Sequence, residues 1–423
     1  MPYAPHHALA DLSRQELCHL GREYLLIGHL QDRVALPLAT RLVGEAAQTQ
    51  LSIDEWMGAS PIYSQRMQRA LGFEGDDVTT VFKGLQLEIG SPHQFMDFQF
   101  RVDSPQSGAF WLAHCGALMD VEPFGDKRVK TMCHDIEDPT FDATAAATHP
   151  LMKMRPVYRP PRVAHPGPRW PHCHWTVFID DQDPTPYEQH PNLPRMRETR
   201  IAAVPIALPD TEREPGGLPD YSGAFDPGFQ LEDLSHRALL IVCQEAAVQA
   251  HLLSRSLLLN VEQRHGEEAA RDLGRKAWTG AAGMAAHRLK RLLPPKDDIA
   301  TVATIFQLHP HFQPRTYLDF RVEVVANDRA RVSIRDCPAL EEADAHSPFG
   351  SLSAEPHPAL QAIAGMVNPR AQVHAIDAGD ARFAWEVVID PQSDPWQEPP
   401  EVQIARISRG FEFQMIQRRP LRT

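Results

Sequence analysis

The strand sequence RWPHCHWTVFID, residues 169–180, has a second version late in the chain, DARFAWEVVID, residues 380–390. Both versions share an aromatic–apolar alternation that is typical of a half-buried β-strand. Three neighbouring aligned positions at which they differ hold His172, Cys173 and His174 in the first version and Arg382, Phe383 and Ala384 in the second. One strand written twice predicts a duplicated domain in which only one copy carries the metal-ligating side chains.

Other segments recur in the same order. LSRQELCHLGREYLL, starting at Leu12, matches LSHRALLIVCQEAAV, starting at Leu234, and GDDVTTVFKGLQLE (75–88) matches KDDIATVATIFQLH (296–309). HCGAL (114–118) matches DCPAL (336–340), and the tripeptide PFG occurs at 123–125 and at 348–350. Matches that keep their order over so long a span indicate an internal duplication.

Each copy begins with helix-periodic sequence and continues with alternating, strand-like runs. We therefore predict an α+β fold with two tandem repeats of a helices-plus-antiparallel-sheet domain in a pseudo-twofold arrangement. The predicted boundaries are repeat 1 at 10–210, a Pro/Gly-rich linker at 211–231, and repeat 2 at 232–420. In repeat 1 the predicted strands include 128–137, which carries Cys133 and His134, and a last strand at 201–208. A short helix is predicted from Asp138-Pro139 to about Thr148.

Composition excludes several classes of function. The net charge is −13 in 423 residues, so no global positive field attracts nucleic acid or anionic lipid. No run of about 18 apolar residues predicts a membrane span, and the N-terminus lacks a secretory pattern. We expect a cytoplasmic protein whose partner is a small-molecule substrate, with no nucleic acid and no membrane. The sequence leaves open whether the fused pseudo-dimer associates further as a homo-oligomer.

Residues present in only one copy are the better functional candidates, because the fold does not need them twice. Imidazole, thiolate and carboxylate groups are the usual ligands of transition metals. We predict a zinc or iron site at His114, His134 and His174, with Glu122 or Asp135 accepting a proton. Alternation places Cys173 on the core side with Trp175 and Val177 and turns His174 the other way.

Four alternatives remain open. A thiolate site would use Cys133 and Cys173 as metal ligands, and a nucleophilic Cys133 or Cys173 activated by a neighbouring imidazole would make a thiol enzyme. A structural zinc confined to repeat 1 is a third alternative, and histidines scattered over core and surface would need no site at all. Cys115 recurs as Cys337, which favours a core role for both.

A Pro-rich segment follows Met152 and carries several arginines. Arg155, Arg159 and Arg162 stand among prolines that stiffen the chain, and repeat 2 lacks this run. Such a loop beside a His/Cys cluster could hold a carboxylate through bidentate hydrogen bonds. We predict these three arginines as substrate-binding residues, against the alternative of a solvated surface loop.

The segments 368–390 and 149–180 resemble the 4-vinyl-reductase-like domains and the related L-2-amino-thiazoline-4-carboxylate hydrolase family. Asn368-Pro369, His149-Pro150 and the final strand before an Ile-Asp pair carry the resemblance. It implies an α+β fold with a small-molecule pocket between helices and sheet, and it places Cys173 at the cysteine of that family's final strand. Phe383 departs from the pattern in repeat 2.

Together these observations predict a metal-dependent enzyme that acts on a small carboxylate-bearing molecule, most simply a hydrolase. A divalent metal would lower the pKa of its bound water to near neutrality, and Glu122 or Asp135 would take up the proton. The alternative is a non-catalytic small-molecule-binding or sensor protein with a vinyl-reductase-like pocket.

Overall fold

The computed structural model describes residues 9–93, 95–161 and 171–406. Its α-helices are, in chain order, α1 (Arg14–Leu25), α2 (Ile27–Val43), α3 (Glu45–Ala70), α4 (Val78–Leu85), α5 (Gly116–Val121), α6 (Asp126–Lys130), α7 (Glu137–Ala146), α8 (Leu193–Arg197), α9 (Arg200–Ala203), α10 (His236–His265), α11 (Glu267–Lys290), α12 (Ile299–Leu308), α13 (Pro338–Glu341), α14 (Pro358–Val367) and α15 (Pro400–Ile404). Its strands are β1 (Met96–Ser104), β2 (Ser107–Cys115), β3 (Met152–Tyr158), β4 (His174–Ile179), β5 (Phe320–Ala326), β6 (Arg329–Ile334), β7 (Ala371–Ala375) and β8 (Phe383–Ile389).

The strands form two separate four-stranded antiparallel sheets with the same topology. The first sheet has the order β1-β2-β4-β3 and the second has the order β5-β6-β8-β7. The register also agrees, because the N–H of His172 donates to the carbonyl of Leu112 and the N–H of Arg382 donates to that of Ile334, both at 2.8 Å. The predicted α+β fold with two tandem helix-and-sheet repeats is confirmed.

Helix ends are fixed by the same local chemistry in both repeats. Asp77 caps α4 by accepting from Thr80 N, and Asp298 caps α12 by accepting from Thr301 N, both at 2.9 Å. Gly44 joins α2 to α3 with φ of 79°, and Gly266 joins α10 to α11 with φ of 90°. Positive φ is a conformation that glycine adopts without a steric penalty, so both turns depend on it.

The long helices of the two repeats pack against each other and share one hydrophobic core. Helix α3 lies on α10 and α2 lies on α11, so each repeat covers the other. Two buried ion pairs cross between the repeats, Arg22 with Glu232 and Arg288 with Glu23. Removing one partner of such a pair would leave a buried charge unpaired, which costs about 3–5 kcal/mol.

The predicted linker, 211–231, contains no helix or regular strand up to residue 230, although Tyr221 within it is buried. The exact boundaries of the repeats stay a prediction. In the described parts of the chain, no helix is both long enough and apolar enough to cross a bilayer.

Segment 128–137 was expected to be a strand, and that expectation is wrong. Residues 126–146 are helical throughout, with a π-helical turn at Thr131–Ile136 between α6 and α7. The apolar residues Val129, Cys133 and Ile136 recur at intervals of four and three, which is a helical period. The charged residues between them give a polar–apolar alternation that resembles the pattern of a strand. The predicted helix start at Asp138 is also corrected, because α7 begins at Glu137 and contains Pro139.

Two further segments differ from expectation. The predicted arginine loop begins as strand β3, where Pro156 is tolerated because β3 is an edge strand whose N–H groups need not all be paired. The predicted strand 201–208 begins instead with the short helix α9, capped by Thr199. Both segments are rich in β-branched or proline residues, whose preferences depend on tertiary context.

Candidate functional site

A small cavity lies in repeat 1 between the first sheet and the helices that follow β2. We call it the sulfur pocket. Its lining includes four sulfur-bearing side chains and one carboxyl group, contributed by Met96, Cys115, Cys133, Cys173 and Glu137. The rest of the lining is mainly apolar and comprises Phe98, Leu112, Leu118, Phe141, Pro160 and His172. The cavity measures about 10 Å³, which is close to the space that a single water molecule requires.

Two of the thiols are placed by the sheet. Cys115 is the last residue of β2, and its sulfur accepts a hydrogen bond from Leu118 N at 3.3 Å, which starts α5. Cys173 precedes β4, and its carbonyl accepts from Leu112 N. Cys173, Trp175 and Val177 are all buried, so the alternation predicted from the sequence is confirmed for this strand.

The third thiol and the carboxyl group come from the helical layer. Cys133 is buried within the π-helical turn, and Glu137 follows it as the first residue of α7. A π-helical turn widens the helix by one residue, and such turns occur frequently at functional sites. Here the turn lies on the wall of the sulfur pocket.

Burial controls the charge of the sulfur pocket. It raises the pKa of Cys115 to about 12 and raises the pKa of Cys133 and of Cys173 far above the ordinary thiol value. Burial also raises the pKa of Glu137 to about 8, although the nearby Arg159 guanidinium opposes that shift. At pH 7 the three thiols are therefore protonated, and so is most of Glu137.

The three predicted histidine ligands lie apart. His134 Nε2 donates to the carbonyl of Pro160 at 2.9 Å, on the helical side of the sheet. His174 faces the other side, where its ring centroid lies 5.9 Å from that of Trp111 and 6.0 Å from that of Tyr158. His114 lies beside another imidazole, with 6.4 Å between its ring centroid and that of His172.

No three His, Cys, Asp or Glu side chains are grouped to hold a metal ion in the part of the chain that the structure describes. The sheet separates His134 from His174. Cys173 faces the helical layer that carries His134, and the alternation of a strand turns the adjacent His174 to the opposite face. Whether the chain binds a metal stays a prediction, but an imidazole triad is not assembled in this conformation.

The two predicted proton acceptors lie on the surface. Glu122 is exposed at the start of a single 3₁₀ turn, and Asp135 is exposed and forms an ion pair with Lys130 at 2.7 Å. Neither carboxyl group lines the sulfur pocket. A catalytic role for either residue stays a prediction.

The predicted substrate-binding arginines form ion pairs within the chain. Arg155 Nη1 contacts both carboxylate oxygens of Asp142, at 2.7 and 2.8 Å, and Arg159 forms an ion pair with Asp138. Asp138 and Asp142 are one turn apart on α7, so the two pairs hold this helix against the end of β3. Arg162 lies outside the described residues.

A thiol nucleophile is disfavoured in this conformation. Nucleophilic cysteines have lowered pKa values and a nearby positive charge, whereas burial raises the pKa of Cys133 and of Cys173. The imidazole next to Cys133 in sequence, His134, is engaged with Pro160. The neutral thiols are therefore better suited to a ligand that displaces their protons than to attack on a carbonyl.

Three residues of the sulfur pocket, Met96, Cys115 and Glu137, were not predicted as site residues from the sequence. The recurrence of Cys115 as Cys337 indicated a core role, and Cys337 is indeed buried. Glu137 could have been found once 126–146 was recognised as helical, since it lies one turn after Cys133. Met96 gave no signal, because a methionine at the start of a strand usually fills a core.

Comparison of the chain with protein-family models, with curated proteins and with solved structures gives no match. The resemblance to vinyl-reductase-like domains therefore stays a prediction that rests on the motifs alone. Any conclusion about function must be drawn from the residues of this chain.

Proposed function

We propose that repeat 1 binds a soft metal ion, of the type of Cu(I), in the sulfur pocket. The observation that carries this proposal is the lining of one cavity of about 10 Å³ by three thiols and a thioether, from Cys115, Cys133, Cys173 and Met96. Thiolate and thioether ligands select soft ions such as Cu(I). The proposal replaces the zinc or iron predicted from the sequence by a soft ion, and it develops the thiolate alternative at Cys133 and Cys173 instead of the imidazole site.

The charge of the site depends on how many thiols bind the ion. Each coordinating thiol must lose its proton, so one thiolate would neutralise Cu(I) and two would leave one negative charge in the pocket. Arg159 lies close enough to lower the pKa of Glu137, although its own charge is balanced by the ion pair with Asp138. Zn²⁺ in a structural site usually takes four ligands. No three His, Cys, Asp or Glu side chains of the described segments are grouped to hold one ion, so at most two of the three thiols are proposed to bind the same ion.

The number of sulfur ligands supports an ion with low coordination. An ion in the sulfur pocket would take two thiols, with the Met96 thioether as a third ligand. Cys173 and Cys133 belong to different layers of the repeat, one at the sheet and one on the helical wall. Binding would therefore tie the helical layer to the sheet.

Repeat 2 supports a stoichiometry of one ion per chain. Phe383 takes the position of Cys173, with its ring centroid 5.9 Å from that of Trp385, and Cys133 has no counterpart there. Of the three pocket thiols of repeat 1, only Cys115 has an aligned thiol in repeat 2, which is Cys337. One buried thiol is not sufficient for a soft-metal site.

The test is competition for Cu(I) with a chromophoric chelator under anaerobic, reducing conditions, using the full chain. We expect transfer of about one Cu(I) per chain, with no transfer to the C133S/C173S double variant. Cys337→Ser is the matched control, because it removes a buried thiol outside the pocket, and it should bind as the wild type does. Absence of transfer to the wild-type chain, or an equal loss in the control, would refute the proposal.

The metal-dependent hydrolase and the non-catalytic binder predicted from the sequence make different predictions for this same site. A hydrolase requires turnover that depends on the loaded ion and on a nearby acid or base, for which Glu137 is the carboxyl group in the pocket. A binder requires none. Turnover of small carboxylate esters and amides by the Cu(I)-loaded chain and by its E137Q variant distinguishes the two.

A further inference from the structure

A second cavity in repeat 1 shares no lining residue with the sulfur pocket. It is an open groove of about 330 Å³, and we call it the β1 groove. Four of its five lining side chains are apolar, and the lining comprises Thr79, Phe100, Val102, Phe225 and Pro227. Sites for small molecules measure roughly 300–1,000 Å³ and are lined mainly by apolar and aromatic side chains. The β1 groove therefore has the size and the lining of such a site.

The first sheet and α4 form one wall of the β1 groove. Phe100 and Val102 are alternate residues of β1, so their side chains share a face of the sheet. Thr79 lies in the first turn of α4, next to Val78. The N–H of Val78 donates to the carbonyl of Pro105, in the turn between β1 and β2, at 3.0 Å. This hydrogen bond holds the start of α4 beside the end of β1.

The segment between the repeats forms the other wall. Lys83 Nζ donates to the carbonyl of Gly223 at 2.6 Å, and Gln86 Nε2 donates to the carbonyl of Asp226 at 2.9 Å. Both donors belong to α4 or directly follow it. The two hydrogen bonds hold residues 223–227 against the helix, which places Phe225 and Pro227 opposite the strand.

Three packed rings support the β1 groove. The ring centroid of Phe225 lies 5.7 Å from that of Phe82 and 5.6 Å from that of Phe100, and 5.0 Å separates the last two. The aligned positions of repeat 2 hold Ala303 for Phe82 and Val322 for Phe100. The fold does not require rings at these two positions, so the aromatic groove is a property of repeat 1.

Carboxylates stand at the rim of the β1 groove. The hydroxyl of Thr79 donates to Asp77 Oδ1 at 2.7 Å, so this carboxylate lies beside a lining residue. Asp226 is exposed and stands between the lining residues Phe225 and Pro227. One carboxylate therefore lies on each of the two walls.

Two nearby cationic groups are already bonded. Arg101 Nε lies 2.8 Å from Asp103 Oδ1, and Lys83 is buried and donates to backbone carbonyls. Asp76 adds another exposed carboxylate next to Asp77. The β1 groove thus combines an apolar interior with an excess of negative charge at its rim, and such a cleft attracts cations.

We infer that the β1 groove binds a small primary ammonium compound that carries an apolar group of about the size of a phenyl ring. The apolar group packs on Phe100, Val102 and Phe225, and the ammonium group lies at Asp77 and Asp226. This inference goes beyond metal binding and does not depend on it, because the two cavities have separate linings.

The test compares three compounds that have the same ring and differ in charge: 2-phenylethylammonium, 2-phenylethanol and phenylacetate. Their binding to the metal-free full chain is measured by calorimetry and by ligand-observed NMR at low ionic strength. We expect the ammonium compound to bind about fivefold more tightly than the alcohol, which is the contribution of an exposed ion pair, and phenylacetate to bind most weakly. High salt should reduce the first difference. No binding of the ammonium compound, or equal affinity for the ammonium compound and the alcohol, would overturn the inference.

The D77N/D226N double variant tests the rim. Asparagine caps a helix about as well as aspartate, so α4 should keep its first turn. This variant should bind the ammonium compound no more tightly than the alcohol. Asp298→Asn is the matched control, because Asp298 caps α12 in repeat 2 by the equivalent hydrogen bond, and it should bind all three compounds as the wild type does. A preference for the ammonium compound that persists in D77N/D226N contradicts the inference.

Val102→Lys tests the interior of the β1 groove without altering the packed rings. Val102 is 40% exposed and the aligned Val324 is 47% exposed, so V102K and its matched control V324K should both unfold at the wild-type temperature. V102K should weaken 2-phenylethylammonium about tenfold, because it adds bulk and a like charge, and V324K should bind as the wild type does. Unchanged binding by V102K, or an equal loss in V324K, refutes the inference. A concentration-dependent dimer that V102K abolishes would identify a second copy of the chain as the occupant and would refute it equally.

Discussion

Cys173 and Phe383 occupy the same position in two sheets of identical topology. The backbone hydrogen bonds beside them are equivalent, from His172 N to Leu112 O and from Arg382 N to Ile334 O. A thiol stands where the duplicated domain elsewhere has a benzyl group. The smaller side chain of Cys173 leaves room for the sulfur pocket in repeat 1, and Cys173 forms part of its wall.

Replacing Cys173 with Phe tests how closely the sulfur pocket is packed. The cavity is far smaller than the volume that a benzyl group adds, so we expect overpacking that lowers the free energy of unfolding by about 1–3 kcal/mol. The variant should also bind no Cu(I). Denaturant unfolding and chelator competition give the two results, and retention of both stability and metal would contradict the pocket as described.

The slope of Cu(I) affinity against pH should show how many thiols coordinate the ion. Burial raises the pKa of Cys115 to about 12 and also raises the pKa of Cys133 and Cys173, so all three are protonated between pH 6 and 8. Each thiol that binds the ion releases one proton. Two thiols predict affinity that rises about 100-fold per pH unit, and one predicts about tenfold. A pH-independent affinity, measured with the chelator over this range, would exclude thiolate ligands.

The metal-free chain should lose stability between pH 6.5 and 8.5. Burial raises the pKa of Asp32 to about 7 and that of Glu137 to about 8, so both carboxyls keep protons in the folded chain that the unfolded chain has already released near pH 4. The unfolded state then binds fewer protons, and stability falls as pH rises through the folded pKa values. We expect a fall of roughly 1–2 kcal/mol per carboxyl over this window.

Buried histidines do not obscure that result. Burial lowers the pKa of His29, His251 and His309 to about 4, so their neutral forms stabilise the fold fully above about pH 6.5 and lose that effect as pH falls toward 4. The D32N/E137Q double variant should therefore show a smaller loss of stability between pH 6.5 and 8.5 than the wild type, with the remainder coming from Glu88, whose pKa burial raises to about 7, and from Glu55, whose pKa burial also raises. An unchanged alkaline loss in that variant would assign the loss to other groups.

The contact between α7 and β3 predicts a contrast between two aspartates. Asp142 is nearly buried and accepts from Met154 N at 2.9 Å as well as from Arg155. Asp142→Ala leaves that buried N–H unpaired, so we expect a loss of about 1–3 kcal/mol of unfolding free energy.

Asp135→Ala is the matched control on the same helical segment. Its only described ion pair, with Lys130, is exposed to solvent, and such pairs contribute little. We expect a change within about 0.5 kcal/mol and unaltered Cu(I) binding. A large loss of metal binding or turnover in D135A would restore the catalytic role predicted from the sequence.

Much of the local structure followed from the sequence. The recurrence of one strand with its Trp and Ile-Asp positions predicted the duplication, and alternation correctly turned Cys173 inward with Trp175. These properties depend on neighbours along one strand, where a period of two residues settles which side chain faces the core. Helix caps at Asp77 and Asp298 are local in the same sense.

Other properties required distant parts of the chain. Cys133 was predicted on a strand but lies in the π-helical turn. Arg155 and Arg159 form ion pairs with carboxylates of α7. Each of these outcomes depends on a contact between elements that are separated in sequence. Propensity and period cannot predict such contacts, because tertiary packing overrides them.

The sequence by itself determined that one α+β domain is present twice and that the His/Cys-rich stretch 114–174 belongs to repeat 1 alone. Only the tertiary structure brought Cys115, Cys133, Cys173 and Glu137 to one cavity and left the His114, His134 and His174 imidazoles apart. Only the tertiary structure shows that Phe349 is buried and Phe124 is exposed, although both stand in the tripeptide PFG. The physical reason is that a repeating pattern fixes which face of its own element a residue takes, whereas the neighbours of that face come from the packing of the whole chain.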